Sequence, residues 1–176
     1  RRARLCAPSI IFFDEIDAIA PQRTESNDVS SRVLTQLLTE MDGVESLKHV
    51  IVVAATNRPD TIDLALLRPG RFDHLTYIKL PDINCRREIL KLNIIKNNMP
   101  REDDIDIEDL AKRTEGYTGA EIWMICREAG MNALSRDLMN AKVKKEDFDH
   151  ALKKILPRIT KETIEYYDNF EKNTKL

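Results

Sequence analysis

The sequence predicts an α/β lobe over residues 1–81, followed by an all-helical lobe over residues 82–176. The first lobe contains short apolar runs typical of buried parallel strands, with an amphipathic helix between two of them. The second lobe contains no strand-like stretch and carries several helix-capping signals. With 42% apolar and 33% charged residues in a chain of 176, the composition is typical of a globular protein.

Three strands and one helix are predicted in the first lobe. Residues 10–13 and 49–55 are apolar runs typical of buried strands, and residues 73–80 are predicted as a third strand. Over residues 30–41 the apolar side chains recur at helical spacing, and Gly43 beyond them is a common helix stop. The order strand, helix, strand indicates a parallel sheet.

Capping residues divide the second lobe into helices. Thr118 and Glu121 form the pattern of a capping box at the start of a long helix, and Asp106 plays a similar role for the shorter helix before it. Residues 145–156 are predicted as another amphipathic helix, and Thr160 begins a last one.

Net charge and composition argue against some functions. The chain has a net charge of -2 and neither lobe is basic, so electrostatic binding of nucleic acid has no support. The longest apolar run, residues 50–55, is too short to span a bilayer. The three cysteines lack metal-site spacing, which indicates reduced thiols and an intracellular location. We expect the cytoplasm, with the nucleus as the alternative.

The first candidate functional residues are Asp14 and Glu15, which follow the first strand. Ligands of open α/β sheets bind at the carboxyl ends of the strands. One carboxylate there can hold a Mg²⁺ ion that bridges phosphates, and its neighbour can activate a water molecule. Two solvated acids that begin a helix would explain the same pattern, so these residues alone leave both interpretations open.

The remaining candidates each have an ordinary structural explanation as well. Asn57 follows the second strand and could orient a water molecule, although the residues around it also suit a turn. Arg68 and Arg71 lie on a turn that could present charge to a phosphoryl group or simply be solvated. Gly119 and Ala120 begin the capped helix, where small residues permit a ligand to approach closely or simply start the helix.

Four motifs in a fixed order give these residues a common explanation. The segments DEID, AATNRPD and LLRPGRFD precede a capped helix that begins with GAE. These ordered motifs resemble those of the AAA ATPase family, in its classical valosin-containing-protein-like branch. The resemblance extends almost from end to end of the chain. The segments YTGAE, CREA and PRI are most similar to the second ATPase domain of the spermatogenesis-associated AAA proteins, which resemble factors of cytoplasmic ribosome maturation.

The resemblance implies a role for each matching residue in the first lobe. Asp14 matches the Walker B carboxylate linked to Mg²⁺, and Glu15 matches the base that polarises the attacking water. Asn57 matches the sensor that positions this water. Arg68 and Arg71 match arginine fingers, which reach the nucleotide of a neighbouring subunit.

The resemblance also implies lid residues, cofactors and partners. Gly119 and Ala120 match residues that back the adenine, and Asn93 matches a ribose-side position. Residues 21–31 correspond to the second pore loop, and residues 42–44 to a segment that carries signals between subunits. ATP and Mg²⁺ are the implied cofactors. The implied partners are identical subunits in a homohexameric ring, and protein substrates or ribosomal assembly factors.

The sequence departs from the family pattern in lacking the phosphate-binding motif G-x-x-x-x-G-K-[ST], because none of its five glycines begins it. The chain also opens without Met, so we expect a piece of a longer protein whose upstream part supplies this loop and the first pore loop. The resemblance places the strand that feeds the loop between the second and third predicted strands. We therefore expect a gap in the sheet.

Two other interpretations compete with an ATPase module. The chain could be a non-catalytic oligomerisation and lid fragment, although a degenerate ATPase has no chemical need for Glu15, Asn57, Arg68 and Arg71 together. Residues 14–17 also form a D-E-x-D helicase box. A helicase would need a second sheet domain and a basic groove, for which this sequence gives no sign.

Overall fold

The computed structural model describes residues 2–21, 28–42 and 49–173. These residues divide into two compact units, with the division after Thr76. Each unit has a hydrophobic core of its own.

The first unit contains a small parallel sheet. Its elements are α1 (Arg2–Leu5), β1 (Ser9–Phe13), α2 (Ile16–Ile19), α3 (Asp28–Asp42), β2 (Val50–Ala54) and two 3₁₀ helices (Pro59–Thr61 and Leu64–Leu67). β1 and β2 are parallel neighbours, with Ser9 opposite Val50 and Phe13 opposite Ala54. The first two predicted strands, the helix between them and the parallel sheet are thereby confirmed. Gly43, the predicted helix stop, lies outside the described residues.

The prediction of a third strand over residues 73–80 is wrong for the part of the chain that the structure describes, because these residues form neither a strand nor a helix. A strand needs a neighbour to accept and donate its backbone hydrogen bonds. The sheet of the described residues consists of β1 and β2 alone, and neither pairs with residues 73–80. The apolar pattern supplies strand propensity, but no strand of the described residues lies beside this segment to stabilise it.

One face of the sheet is covered and the other is open. The covered face packs on a core made by α2, α3 and the 3₁₀ region, with the buried residues Ile16, Ala20, Leu34, Leu38, Ile62 and Leu66. On the opposite face Ile10 and Phe12 of β1 lie beside Ile51 and Val53 of β2. All four side chains are exposed, and those of Ile10 and Phe12 are 69% and 61% accessible. An apolar sheet face of this kind is normally covered by another layer of structure.

The second unit consists of helices. They are α4 (Ile83–Lys91), which continues as a π-helical turn (Leu92–Lys96), α5 (Ile107–Arg113), α6 (Gly119–Arg136), α7 (Lys145–Lys154) and α8 (Lys161–Asn173). The predicted helices are confirmed, and so is the capping box: Glu121 N donates to Thr118 Oγ1 over 3.2 Å, and Thr118 N donates to Glu121 Oε2 over 2.8 Å. None of the described helices is long and apolar enough to cross a membrane.

Residues that follow the division after Thr76 contact α8. The ring of Tyr77 stacks on that of Tyr167, with 5.8 Å between their centroids. Lys79 Nζ lies 3.3 Å from Glu171 Oε2. These contacts attach the start of the connecting segment to the helical unit.

Candidate active site

The carboxyl ends of β1 and β2 meet at one edge of the sheet, as expected. Ala55 N donates to Phe13 O over 2.8 Å, and Ile16 N donates to Ala55 O over 3.1 Å. These two bonds extend the contact between the strands to the residues that follow them. Asp14 and Glu15 therefore lie beside the segment that leads to Asn57.

Glu15 adopts a backbone conformation that is unusual for its residue type. Its φ and ψ are both 51°, in the left-handed region, and it forms the N-cap of α2 without a side-chain capping bond. Residues other than glycine are uncommon in this region, and such outliers cluster at functional sites. The side chain is exposed, and its carboxylate accepts no hydrogen bond from any described residue. This leaves it open to a water molecule.

Asp14 is also exposed, and its Oδ1 accepts a hydrogen bond from Glu15 N over 3.0 Å. Within the described residues no group of three or more His, Cys, Asp or Glu side chains could hold a metal ion. Mg²⁺ does not require such a group, because it keeps several water ligands and is usually bound by one or two carboxylates together with substrate phosphates. A single carboxylate at the strand end therefore fits Mg²⁺ bound with a nucleotide.

A short hydrogen-bond chain holds the turn that carries Asn57. Thr56 Oγ1 donates to Asp17 Oδ1 over 2.6 Å, and Arg58 N donates to Thr56 Oγ1 over 2.9 Å. Asn57 lies between these two residues with its side chain exposed. Sequence reasoning assigned Asp17 a role only in the helicase interpretation of residues 14–17 and assigned none to Thr56, although the second acid of DEID was a visible signal. Their contact fixes the strand-end turn relative to α2.

Arg68 and Arg71 lie on the same turn but have different environments. Gly70 has a φ of 89°, which closes the turn, and Arg71 N donates to Arg68 O over 3.2 Å. The Arg68 side chain is exposed and makes no hydrogen bond or ion pair with any described residue. Its guanidinium is therefore available to a partner outside the unit.

Arg71, in contrast, is tied to its own chain. Its Nε donates to Asp42 Oδ1 over 2.8 Å, a second nitrogen pairs with Asp42 Oδ2, and the third donates to the Ala65 carbonyl. The bidentate contact lowers the pKa of Asp42 from its ordinary value and raises that of Arg71. Arg71 thus holds the turn against the end of α3, whereas Arg68 on the same turn stays exposed.

This ion pair predicts a pH dependence for Asp42. Because its pKa is lowered in the folded chain, the contact stabilises the fold at pH values above the ordinary aspartate pKa of about 3.9 and is lost as the pH falls through the lowered value. A ¹³C carboxyl titration followed by NMR should therefore show the midpoint of Asp42 rising in Arg71→Gln. Arg68→Gln, on the same turn, should leave it unchanged. Equal midpoints in the wild type and Arg71→Gln would contradict the assignment.

Two of the predicted residues of the helical unit, Asn93 and Gly119, lie near Ile89. Asn93 is buried in the π-helical turn, and its Nδ2 donates to Ile89 O over 2.8 Å. Gly119 begins α6, and a Cβ added to it would lie 3.6 Å from Ile89 Cδ1, which is ordinary contact. Packing alone therefore does not require glycine at this position. Ala120 follows it and is exposed.

Parts of two predicted segments lie outside the described residues. Of the segment matched to the second pore loop, residues 22–27 lie outside the described residues, and so do residues 43 and 44 of the intersubunit segment. Asp42 is described, and its contact is with Arg71.

Comparison with known proteins identifies the class. The family model described as "ATPase family associated with various cellular activities (AAA)" matches residues 1–80, and that of the AAA+ lid domain matches residues 104–150. The chain belongs to the AAA ATPase family. The predicted family and fold class are confirmed.

Similarity to individual relatives indicates the branch of the AAA ATPase family. The chain is 54% identical over 171 residues to the ATPase family gene 2 protein of Saccharomyces cerevisiae, covering 97% of the chain and 22% of the relative. It is 48% identical over 179 residues to the human ATPase family gene 2 protein homolog A, covering 100% of the chain and 20% of the relative. It is 50% identical over 184 residues to the cell division cycle protein 48 homolog of Archaeoglobus fulgidus, covering 96% and 25%. The chain thus spans a quarter or less of these relatives and is an AAA ATPase module of the valosin-containing-protein-like kind.

Proposed function

We propose that this chain forms part of the ATP-hydrolysing site of a ring-forming, protein-remodelling ATPase, called here the parent ATPase. The observation that carries the proposal is the edge of the sheet where Asp14, Glu15 and Asn57 follow adjoining strands. An exposed carboxylate and an exposed amide at one edge of a sheet are suited to activating and orienting one water molecule.

Each residue at this edge has its own task in hydrolysis. The free Glu15 carboxylate accepts a proton from the attacking water. The Asn57 side chain holds the water in line with the terminal phosphate. Mg²⁺, when bound, neutralises charge on the phosphates, and Asp14 would hold it. The Thr56–Asp17 hydrogen bond keeps the Asn57 turn in place.

The two arginines act in different ways in this proposal. Arg68, exposed on a turn closed by Gly70, stabilises the charge that develops on the nucleotide of a neighbouring subunit. Arg71 holds that turn against α3 through Asp42. A second finger role for Arg71 requires this ion pair to open in the ring. The proposed assembly is a homohexamer, in which each site is completed by its neighbour.

The lid residues are proposed to contact the nucleoside. Gly119 and Ala120, at the first turn of α6, let the backbone approach the adenine, and Asn93 lies on the ribose side. Supporting this, Asn93 and Gly119 both lie near Ile89, which places these two residues in one region of the helical unit.

Isothermal titration of the 176-residue chain with ATP and Mg²⁺ tests whether the chain binds the nucleotide without a phosphate-binding motif. The chain alone should neither bind ATP tightly nor hydrolyse it, because it contains no phosphate-binding motif to supply backbone N–H groups and a lysine. The parent ATPase is the positive control. Micromolar or tighter binding, about -8 kcal/mol, by the chain alone would contradict the prediction. A parent that binds ATP without hydrolysing it would favour the alternative of a non-catalytic oligomerisation and lid fragment.

For the biological role we propose cytoplasmic ribosome maturation, with protein assembly factors as substrates. The support is the similarity of YTGAE, CREA and PRI to the spermatogenesis-associated AAA proteins. If the parent ATPase has this role, a Glu15→Gln form should be retained on pre-ribosomal particles in gradient sedimentation, because a remodeller that cannot hydrolyse ATP does not release its substrate. Equal sedimentation of the wild-type parent and the Glu15→Gln form would contradict the proposed role in ribosome maturation.

A further inference from the structure

The longest lid helix exposes apolar side chains away from the lid core. Met124, Met131 and Leu134 of α6 are 39%, 51% and 41% accessible. Their spacing places them along one stripe of the helix. Beside this stripe a groove of about 710 Å³ separates α6 from the segment after α7. We call it the lid groove; the lining residues that matter here are Met124, Arg127, Glu128, Met131, Leu156 and Arg158.

The walls of the lid groove are fixed to each other. Tyr117 Oη donates to Ile155 O over 2.9 Å, and Arg158 N donates to Glu121 Oε1 over 3.0 Å. Lys154 Nζ also lies 2.5 Å from Glu128 Oε1, which ties the end of α7 to α6. A groove held in this way is formed before a ligand arrives, so binding needs little ordering of the protein.

Among the described residues, the charged side chains of the lid groove that lack an ionic partner are positive. Glu121 is occupied by the capping box and by Arg158 N, and Glu128 is paired with Lys154. Arg127 lies over the Trp123 ring, 5.6 Å from its centroid. Among the described residues, the guanidinium groups of Arg127 and Arg158 have no carboxylate partner.

From this arrangement we propose that the lid groove binds an acidic, amphipathic segment of a partner protein. Apolar side chains of the segment pack against Met124, Met131 and Leu156, and its carboxylates pair with Arg127 and Arg158. Methionine adapts to differently shaped apolar ligands, and arginine binds carboxylates through paired hydrogen bonds. A phosphate or a nucleic-acid backbone would satisfy the arginines but leave the apolar lining uncovered.

The probe for this proposal is a fluorescein-labelled peptide, Asp-Asp-Leu-Phe-Asp-Glu-Leu-Leu, titrated with the full chain and followed by fluorescence anisotropy. Binding should be saturable, and a peptide with lysine in place of each acid should not bind. Arg127→Gln and Arg158→Gln should each weaken binding about tenfold, the loss expected for one charge-assisted hydrogen bond. Met131→Asp should weaken it further, because it removes apolar contact and repels the peptide.

Lys153→Glu is the matched control, because Lys153 is exposed on α7 and does not line the lid groove. It should bind the peptide like the wild type, and circular dichroism should be the same for all variants. A peptide that does not bind, or that is weakened equally by Lys153→Glu, would overturn the proposal. Binding to the chain but not to the assembled parent ATPase would also overturn it, because a neighbouring subunit would then cover the groove.

Discussion

Replacing Arg68 by Ala in the parent ATPase should reduce ATP hydrolysis by about 10³–10⁵-fold, the range found for arginine fingers, while ATP binding stays near normal. The environment of Arg68 separates an effect on hydrolysis from an effect on folding. The Arg68 side chain is exposed and bonded to none of the described residues, so its loss should not disturb the fold. Hydrolysis and nucleotide binding are measured separately, by phosphate release and by filter retention of labelled ATP.

Arg2→Ala is a matched control for the loss of an exposed arginine. Arg2 lies on α1 of the same unit, and its side chain is exposed. Its removal should change hydrolysis little, because substitutions of exposed side chains outside a functional site usually change the free energy of unfolding by less than about 0.5 kcal/mol.

Mixing two inactive proteins tests whether Arg68 acts on a neighbouring subunit. When Arg68→Ala and Glu15→Gln parents form mixed rings, some junctions place an intact Glu15 beside an intact Arg68. Those junctions should recover hydrolysis. If mixed rings form, as judged by native mass spectrometry, and activity does not return, Arg68 does not act across the junction.

The second large effect is expected at Glu15. In the parent ATPase, Glu15→Gln should lower hydrolysis by about 10²–10⁴-fold, because glutamine keeps the size of the side chain but cannot accept a proton. ATP should remain bound, since the carboxylate is not needed to hold it. Single-turnover phosphate release and retention of bound nucleotide measure the two consequences.

Glu88→Gln provides the control for removing a carboxylate. Glu88 lies on α4 and pairs with Lys91 at 2.9 Å, within the helical unit. It should hydrolyse ATP like the parent. A Glu15→Gln protein whose rate stays within about threefold of the parent, a barrier change below 1 kcal/mol, would contradict the role of Glu15.

Features that depend on residues close together in the chain were predictable from the sequence. The capping box of Thr118 and Glu121 spans three positions, and the structure forms it as predicted. β1, α3 and β2 follow from the apolar spacing within each segment. The meeting of Asp14 and Asn57 at one edge was also predictable, because parallel strands end on the same side of a sheet.

Features that depend on residues far apart in the chain became visible in the three-dimensional fold. Residues 73–80 have a strand pattern, but within the described parts of the chain no strand lies beside them, and they form none. Arg68 and Arg71 look equivalent in the sequence, and only the position of Asp42 at the end of α3 separates a tied arginine from an exposed one. The pairing of β strands and of ionic side chains is a property of distant partners, and a local pattern specifies the capacity for such a contact without specifying which partner supplies it.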